Sequence, residues 1–118
     1  MAWNIEATDE FQRWFASLNA AERVSVARKV DLLEELGPLL GRPDLDTIKG
    51  SHFPNMKELR IQHRGKPYRV FFAFDPRQTG ILLIGGRKGT KQWYKTHVAL
   101  ADEIYAGYLK ELREEGVI

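Results

Sequence analysis

The residues best suited to chemistry lie between positions 57 and 97. Arg60 and Arg69 fall on two segments that read as paired strands, MKELRIQH (56–63) and KPYRVFFAFD (66–75), joined by a turn at Arg64-Gly65. A turn centred there sets Leu59 opposite Val70 and Arg60 opposite Arg69. Two cations about 5 Å apart on neighbouring strands repel each other unless an anion or acid sits between them. Two kinds of neutraliser are open: an internal acid, Glu58 or Asp75, or a bound phosphate, whose oxygens planar guanidinium groups grip in pairs. The third strand then delivers GGRKGTK (85–91). Gly85 and Gly86 allow close backbone approach there, and Arg87, Lys88 and Lys91 add charge. The run lacks the GxxxxGK[ST] spacing of a nucleotide-binding loop and does not follow a first strand.

Tyr94 and His97, three residues apart, are expected to share one side of a helix beside this cluster, where a phenol or imidazole would stack on a base or move a proton. Each has a plainer reading, Tyr94 as part of an apolar stripe and His97 as a surface residue. If the cluster cleaves RNA, the simplest chemistry is attack of a 2′-hydroxyl on the neighbouring phosphate without a metal ion. Arg60, Arg69 and Lys88 fit the charge-stabilising role, and Tyr94, with His97 behind it, fits that of acid. No base is evident, so a larger partner that orients the substrate is expected to make up the deficit. No pair of acids and no His-His-acid set has the spacing of a metal site, and no cofactor is expected.

Charge is distributed to match. Positions 42–97 hold 12 Lys and Arg against 4 acids, a local +8, whereas residues 1–41 and 98–118 each carry −3. Such separation steers an anionic polymer toward one region. Six further bases of the stretch, Lys57, Arg64, Lys66, Arg87, Lys91 and Lys95, together with His97, are expected to hold RNA around the central cluster. With 43% hydrophobic and 29% charged residues the chain reads as a folded globular protein, and 118 residues fit one domain, 1–118. The chain has no cysteine, which suits a reducing cytoplasm. Its opening residues lack a basic region followed by an apolar run, and no stretch approaches 18 apolar residues, so no signal peptide and no membrane span are expected.

These side chains need a scaffold, and its elements are legible. Residues 2–6 read as a short strand, followed by a helix capped at Thr8 or Asp9 that carries Phe11, Trp14, Phe15 and Leu18. Asn19 and Glu22 form a capping box for a second helix, whose stripe of Val26, Val30, Leu33 and Leu36 is widened by Val24 and Ala27 before Gly37-Pro38 stops it. Residues 39–55 read as an irregular loop of a length that is often functional. Strands follow at 56–63, 66–75 and 81–86. Leu59, Ile61, Tyr68, Val70, Phe72 and Phe74 belong to one buried face, and Glu58, Arg60, Gln62 and Arg69 to the other, where Phe71 and Ala73 also need cover. A last helix from about Lys91 to Glu115, repeating Tyr94, Val98, Ala101, Tyr105, Tyr108 and Leu112, supplies that cover and ends at Gly116.

Three blocks carry a resemblance over almost the whole chain: WxxExTDEFQRWFxSL at the start (Trp3, Glu6, Thr8 to Phe15, Leu18), residues 40–76, and ILLIGGRKGTK (81–91). Together they resemble the phage-derived HigB branch of the RelE toxin superfamily, most specifically in ELR, a short turn, YRVFFAFDP and a third apolar strand ending in a basic residue. The resemblance implies an α+β fold with a RelE-like antiparallel sheet, an N-terminal helical hairpin on one face and a C-terminal helix. It also implies a ribosome-dependent messenger-RNA endonuclease silenced by a helix-turn-helix antitoxin of the Xre/HigA type, through which the pair reaches operator DNA. Residue by residue it points to Arg60 for the second-strand basic position, Arg69 for the arginine of the tyrosine-arginine-valine segment, Lys88 or Arg87 for the base closing the last strand, and Tyr94 for the catalytic aromatic. One position departs from the pattern: Glu58 stands where the best-known type has a base.

Overall fold

Thr8 fixes where the helical part begins. In the computed structural model, which describes residues 2–118, its hydroxyl accepts the Phe11 N–H (3.1 Å) and donates to the Leu83 carbonyl (2.7 Å). One side chain thus caps helix α1 (Asp9–Ser17) and ties it to the sheet. Asn19 and Glu22 close the expected capping box at the start of α2 (Ala20–Leu36). Gly37, at φ +54°, ends α2 in a backbone conformation that disfavours other residues. Val26 and Leu33 are buried as the stripe requires, but Val24, expected to widen it, is 49% exposed.

Among the described residues five strands form one sheet, in the order β1-β5-β4-β3-β2. They are β1 (Ile5–Ala7), β2 (Leu45–Thr47), β3 (Met56–His63), β4 (Lys66–Phe74) and β5 (Gly80–Arg87). The sheet is antiparallel from β2 through β3 and β4 to β5. At the far edge β1 runs parallel to β5, making the sheet mixed, and the strand expected at 2–6 occupies residues 5–7. The third long strand extends one residue beyond each expected end, to Gly80 and Arg87. The region expected as an irregular loop begins at the last residue of a 3₁₀ turn (Gly37–Leu39) and contains β2, whose Leu45 pairs with Leu59. Three residues are too few for an alternating pattern to show, and their strand geometry is imposed by the free edge of β3.

The β3–β4 register is the expected one: Leu59 faces Val70 and Arg60 faces Arg69. Side-chain alternation then builds two cores. On one face Leu59, Ile61, Tyr68, Val70, Phe72 and Leu82 pack with Phe11, Val26 and Leu33 of α1 and α2. On the other, Phe71, Ala73, Ile81 and Leu83 pack under Val98, Ala101, Tyr105 and Leu109 of helix α3 (Lys91–Glu114). The α+β arrangement, with the helical hairpin on one side and the C-terminal helix on the other, matches the expected fold. No described helix is long and apolar enough to cross a membrane.

Gly85 marks the closest approach of the hairpin to the sheet. A Cβ there would fall 2.3 Å from Trp14 Cζ3 of α1, so the indole must be displaced if any side chain is added. Gly85→Ala is therefore expected to cost about 1–3 kcal/mol of overpacking, measured as a lower urea midpoint with an unchanged denaturant slope. A midpoint equal to that of the parent chain would mean that α1 does not pack on Gly85 this tightly.

Candidate functional site

Cross-strand pairing brings Arg60 and Arg69 together, and Glu58 neutralises them. Two residues before Arg60 on β3, Glu58 points to the same face. Its Oε2 accepts the Arg60 Nε–H at 2.8 Å and lies 3.2 Å from Arg69 Nε. The second contact is one of charge only: the Arg69 Nε–H is buried and has no aligned acceptor, while its Nη1 donates to the Tyr68 carbonyl at 3.1 Å. Oε1 of Glu58 accepts the Tyr94 hydroxyl from α3. Of the two internal acids open on sequence grounds, Glu58 is thus the one at the arginine pair. Asp75 instead closes the β4–β5 turn, accepting the Arg77 and Thr79 amides and the Arg77 guanidinium.

The three basic and acidic groups are not equally accessible. The Arg69 side chain is 11% exposed and that of Glu58 5%, whereas Arg60 keeps 37%. Arg60 also reaches Asp46 of β2 at 3.2 Å, and Arg42 meets the same carboxylate at 3.2 Å. The Arg42 hydrogen bond, helped by the Thr47 amide and the two guanidinium charges, holds Asp46 below the usual carboxylate range. The Glu58 hydrogen bond raises Arg60 further above its ordinary value, so it stays a cation. Burial, and then the hydrogen bond to Glu58, push the Tyr94 phenol well above its normal range. Tyr94 is therefore a protonated donor and not a base.

In front of this cluster lies a cleft of about 1090 Å³ between the first half of α3 and the loop joining β2 to β3. Glu58, Arg60, Lys88 and Tyr94 line it, with Lys91 and Lys95 on α3 and Lys49 on the loop. Buried Asp102 of α3 fixes the loop: it accepts the Ser51 hydroxyl at 2.5 Å and the His52 amide at 2.9 Å. The Phe53 ring meets Tyr105 edge-on at 4.8 Å. Lys49 and Asp102 do not stand out in the sequence. The available signal is the length of the 39–55 segment, with Gly50 and Pro54 in it.

Several expected RNA contacts lie elsewhere. Lys57 belongs by alternation to the opposite face, and its ammonium donates to the Thr47 hydroxyl. Arg87, paired with Tyr68, likewise belongs to the helical-hairpin side, so between Arg87 and Lys88 only Lys88 lines the cleft. Arg64 and Lys66 stand exposed at the β3–β4 turn, outside the cleft lining. His97 packs against Phe71 as Tyr94 does but does not line the cleft: it stacks on Trp93 at 4.1 Å and engages the Trp93 carbonyl through Nδ1. Among the described residues no group of three or more His, Asp and Glu is arranged to hold a metal ion.

Residues 13–106 match the family of phage-derived Gp49-like proteins (DUF891). Two toxin-named proteins of Mycobacterium tuberculosis are relatives: HigB3 is 46% identical over 96 residues, 80% of this chain and 82% of that protein. HigB2 is 39% identical over 113 residues, which cover 91% of this chain and 56% of the longer HigB2. Among solved structures, free Escherichia coli toxin RelE superposes with a TM-score of 0.57 at 15% identity, covering 80% of this chain and 92% of RelE. RelE in the RelE–RelB complex of Pyrococcus horikoshii gives 0.54 at 20% identity, covering 75% and 98%. At that identity the structures speak for the fold, and the family rests on the sequence matches. The chain belongs to the phage-derived Gp49-like family, has the toxin-named HigB3 and HigB2 as relatives, and carries the RelE fold.

Proposed function

We propose that this chain is the toxin of a type II toxin–antitoxin pair and acts as a ribosome-dependent messenger-RNA endonuclease. The observation that carries the reading is the cleft itself: Arg60, Lys88, Lys91, Lys95 and Lys49 surround a protonated Tyr94 on a rigid wall of strand and helix. Similarity to toxin-named HigB3 and HigB2 supports the biological role.

In the proposed reaction the 2′-oxygen of one nucleotide bonds to the adjacent phosphorus and the bond from phosphorus to the 5′-oxygen breaks. Arg60 and Lys88 stabilise the charge that builds on the non-bridging oxygens, and Tyr94 gives its proton to the departing 5′-oxygen. Arg69, mostly buried, acts from behind as a positioning residue for Glu58 and Arg60. The ribosome holds the message in place, which supplies the orientation that a small open cleft lacks. The partner that silences the chain is a helix-turn-helix antitoxin, and operator DNA is reached through it. The chain acts in the cytoplasm as one domain, 1–118. Of the wider basic set, Lys91 and Lys95 hold RNA within the cleft, and Arg64, Lys66 and Arg87 contribute a more distant field.

A non-catalytic role in binding the antitoxin draws on one observation, the neutralisation of the arginine pair by Glu58. Induction in cells separates the two. Wild-type chain without its antitoxin is expected to arrest growth, and co-expression of the adjacent helix-turn-helix protein to relieve it. Arrest is expected to be lost in Lys88→Ala, whose exposed side chain can be removed without disturbing a core. Undiminished arrest in that variant contradicts the placement of the site, and no arrest from well-expressed wild type favours the binding role. In a purified system Tyr94→Phe is expected to slow cleavage of ribosome-bound message about 100-fold or more while leaving antitoxin binding intact. An unchanged rate would remove Tyr94 from the chemistry.

A further inference from the structure

The proposed reaction leaves one proton without a destination, that of the attacking 2′-hydroxyl. Three carboxylates line the cleft, Glu58, Asp102 and Glu103, and they differ in what they are free to do. Both oxygens of Asp102 are engaged in holding the loop through Ser51 and His52. His52 belongs to that same end, its amide bound to Asp102. Glu103 lies nine residues beyond Tyr94 on α3, about 13 Å along the axis. Glu58 alone shares the wall formed by Arg60, Lys88 and Tyr94.

The geometry points to Glu58 as the general base of the RNA-cleaving reaction, coupled to Tyr94 as its acid. A carboxylate offers about four lone-pair directions. Arg60 and Tyr94 take one each, and the Arg69 Nε–H is not aligned on either oxygen. An acceptor direction therefore remains for a 2′-hydroxyl brought into the cleft. The existing hydrogen bond also closes the proton balance. Glu58 takes the 2′-proton as the bond from the 2′-oxygen to phosphorus forms, and Tyr94 gives its proton to the 5′-oxygen as the second bond breaks. The proton on Glu58 then passes along the Glu58–Tyr94 hydrogen bond to the phenolate. Both groups return to their starting states without any other reactant. The departure of Glu58 from the basic pattern becomes a functional substitution on this account.

This inference rests on the endonuclease reading, and single-turnover cleavage on ribosomes programmed with a defined message separates the two. Wild-type chain that leaves the message intact overturns both. If wild type cleaves, Glu58→Gln is expected to cleave about 10²–10⁴-fold more slowly, with ribosome affinity retained. Glu58→Ala is expected to recover some of its lost rate on addition of formate. Glu58→Gln cleaving at or above the wild-type rate overturns the assignment, because the carboxylate would then only neutralise or block the arginines. Glu58→Asp guards against a folding defect: it keeps the charge for both arginines and withdraws the oxygens by one methylene. Its rate is expected to fall at least about tenfold while circular dichroism shows the chain folded at the assay temperature, and an unchanged rate also overturns the assignment.

Discussion

The β3–β4 register is the constraint on which the rest of the molecule depends. It puts Arg60 against Arg69, an arrangement that repels until a carboxylate enters it. Glu58 supplies that carboxylate, two residues back along the same strand face, and Tyr94 of α3 then docks on it. The strand pairing, the ion pairs and the seating of α3 are one interlocked unit. A one-residue slip between β3 and β4 would send these polar groups into the core beneath α1 and α2.

That unit explains why the cleft has a rigid back wall and a lighter front. Behind it Phe71, Leu83 and Val98 are buried, and Phe71 meets the Tyr94 ring edge-on at 5.8 Å. In front, the loop before β3 is held chiefly by Asp102 and by Phe53 against Tyr105. The lysines Lys49, Lys88, Lys91 and Lys95 line the open cleft. Solvent-facing lysines attract a polyanion over distance, whereas the buried Arg69 sets geometry and the partly exposed Arg60 reaches the cleft.

Much of this is legible in the sequence, for physical reasons that can be named. Long amphipathic segments such as 91–114 and the capping box at Asn19 and Glu22 carry strong local signals, and the Arg64-Gly65 turn fixes the register of two long strands. The short strands at residues 5–7 and 45–47 are shifted or missed, because their structure comes from neighbouring edges and not from their own pattern. Within the site, alternation is enough to gather Glu58, Arg60 and Arg69 on one face. It is not enough to tell that Tyr94 lines the cleft and His97 does not, since His97 stacks on Trp93 over Gly86, where a Cβ would lie 2.7 Å from the indole. Lys49 and Asp102 are silent because a loop-to-helix tether leaves no periodic trace.

The proposed chemistry draws on two supports, similarity to toxin-named relatives and the geometry of the cleft. The family supplies the biological setting, and the cleft supplies groups suited to breaking a phosphodiester without assistance from a second reactant. The chemical ends left on a message test that account most directly. Ribosomes carrying a defined message, incubated with the purified chain, are predicted to yield upstream fragments ending in a 2′,3′-cyclic phosphate and downstream fragments beginning with a 5′-hydroxyl. Fragments that instead carry a 3′-hydroxyl and a 5′-phosphate, or a message left whole, would contradict it.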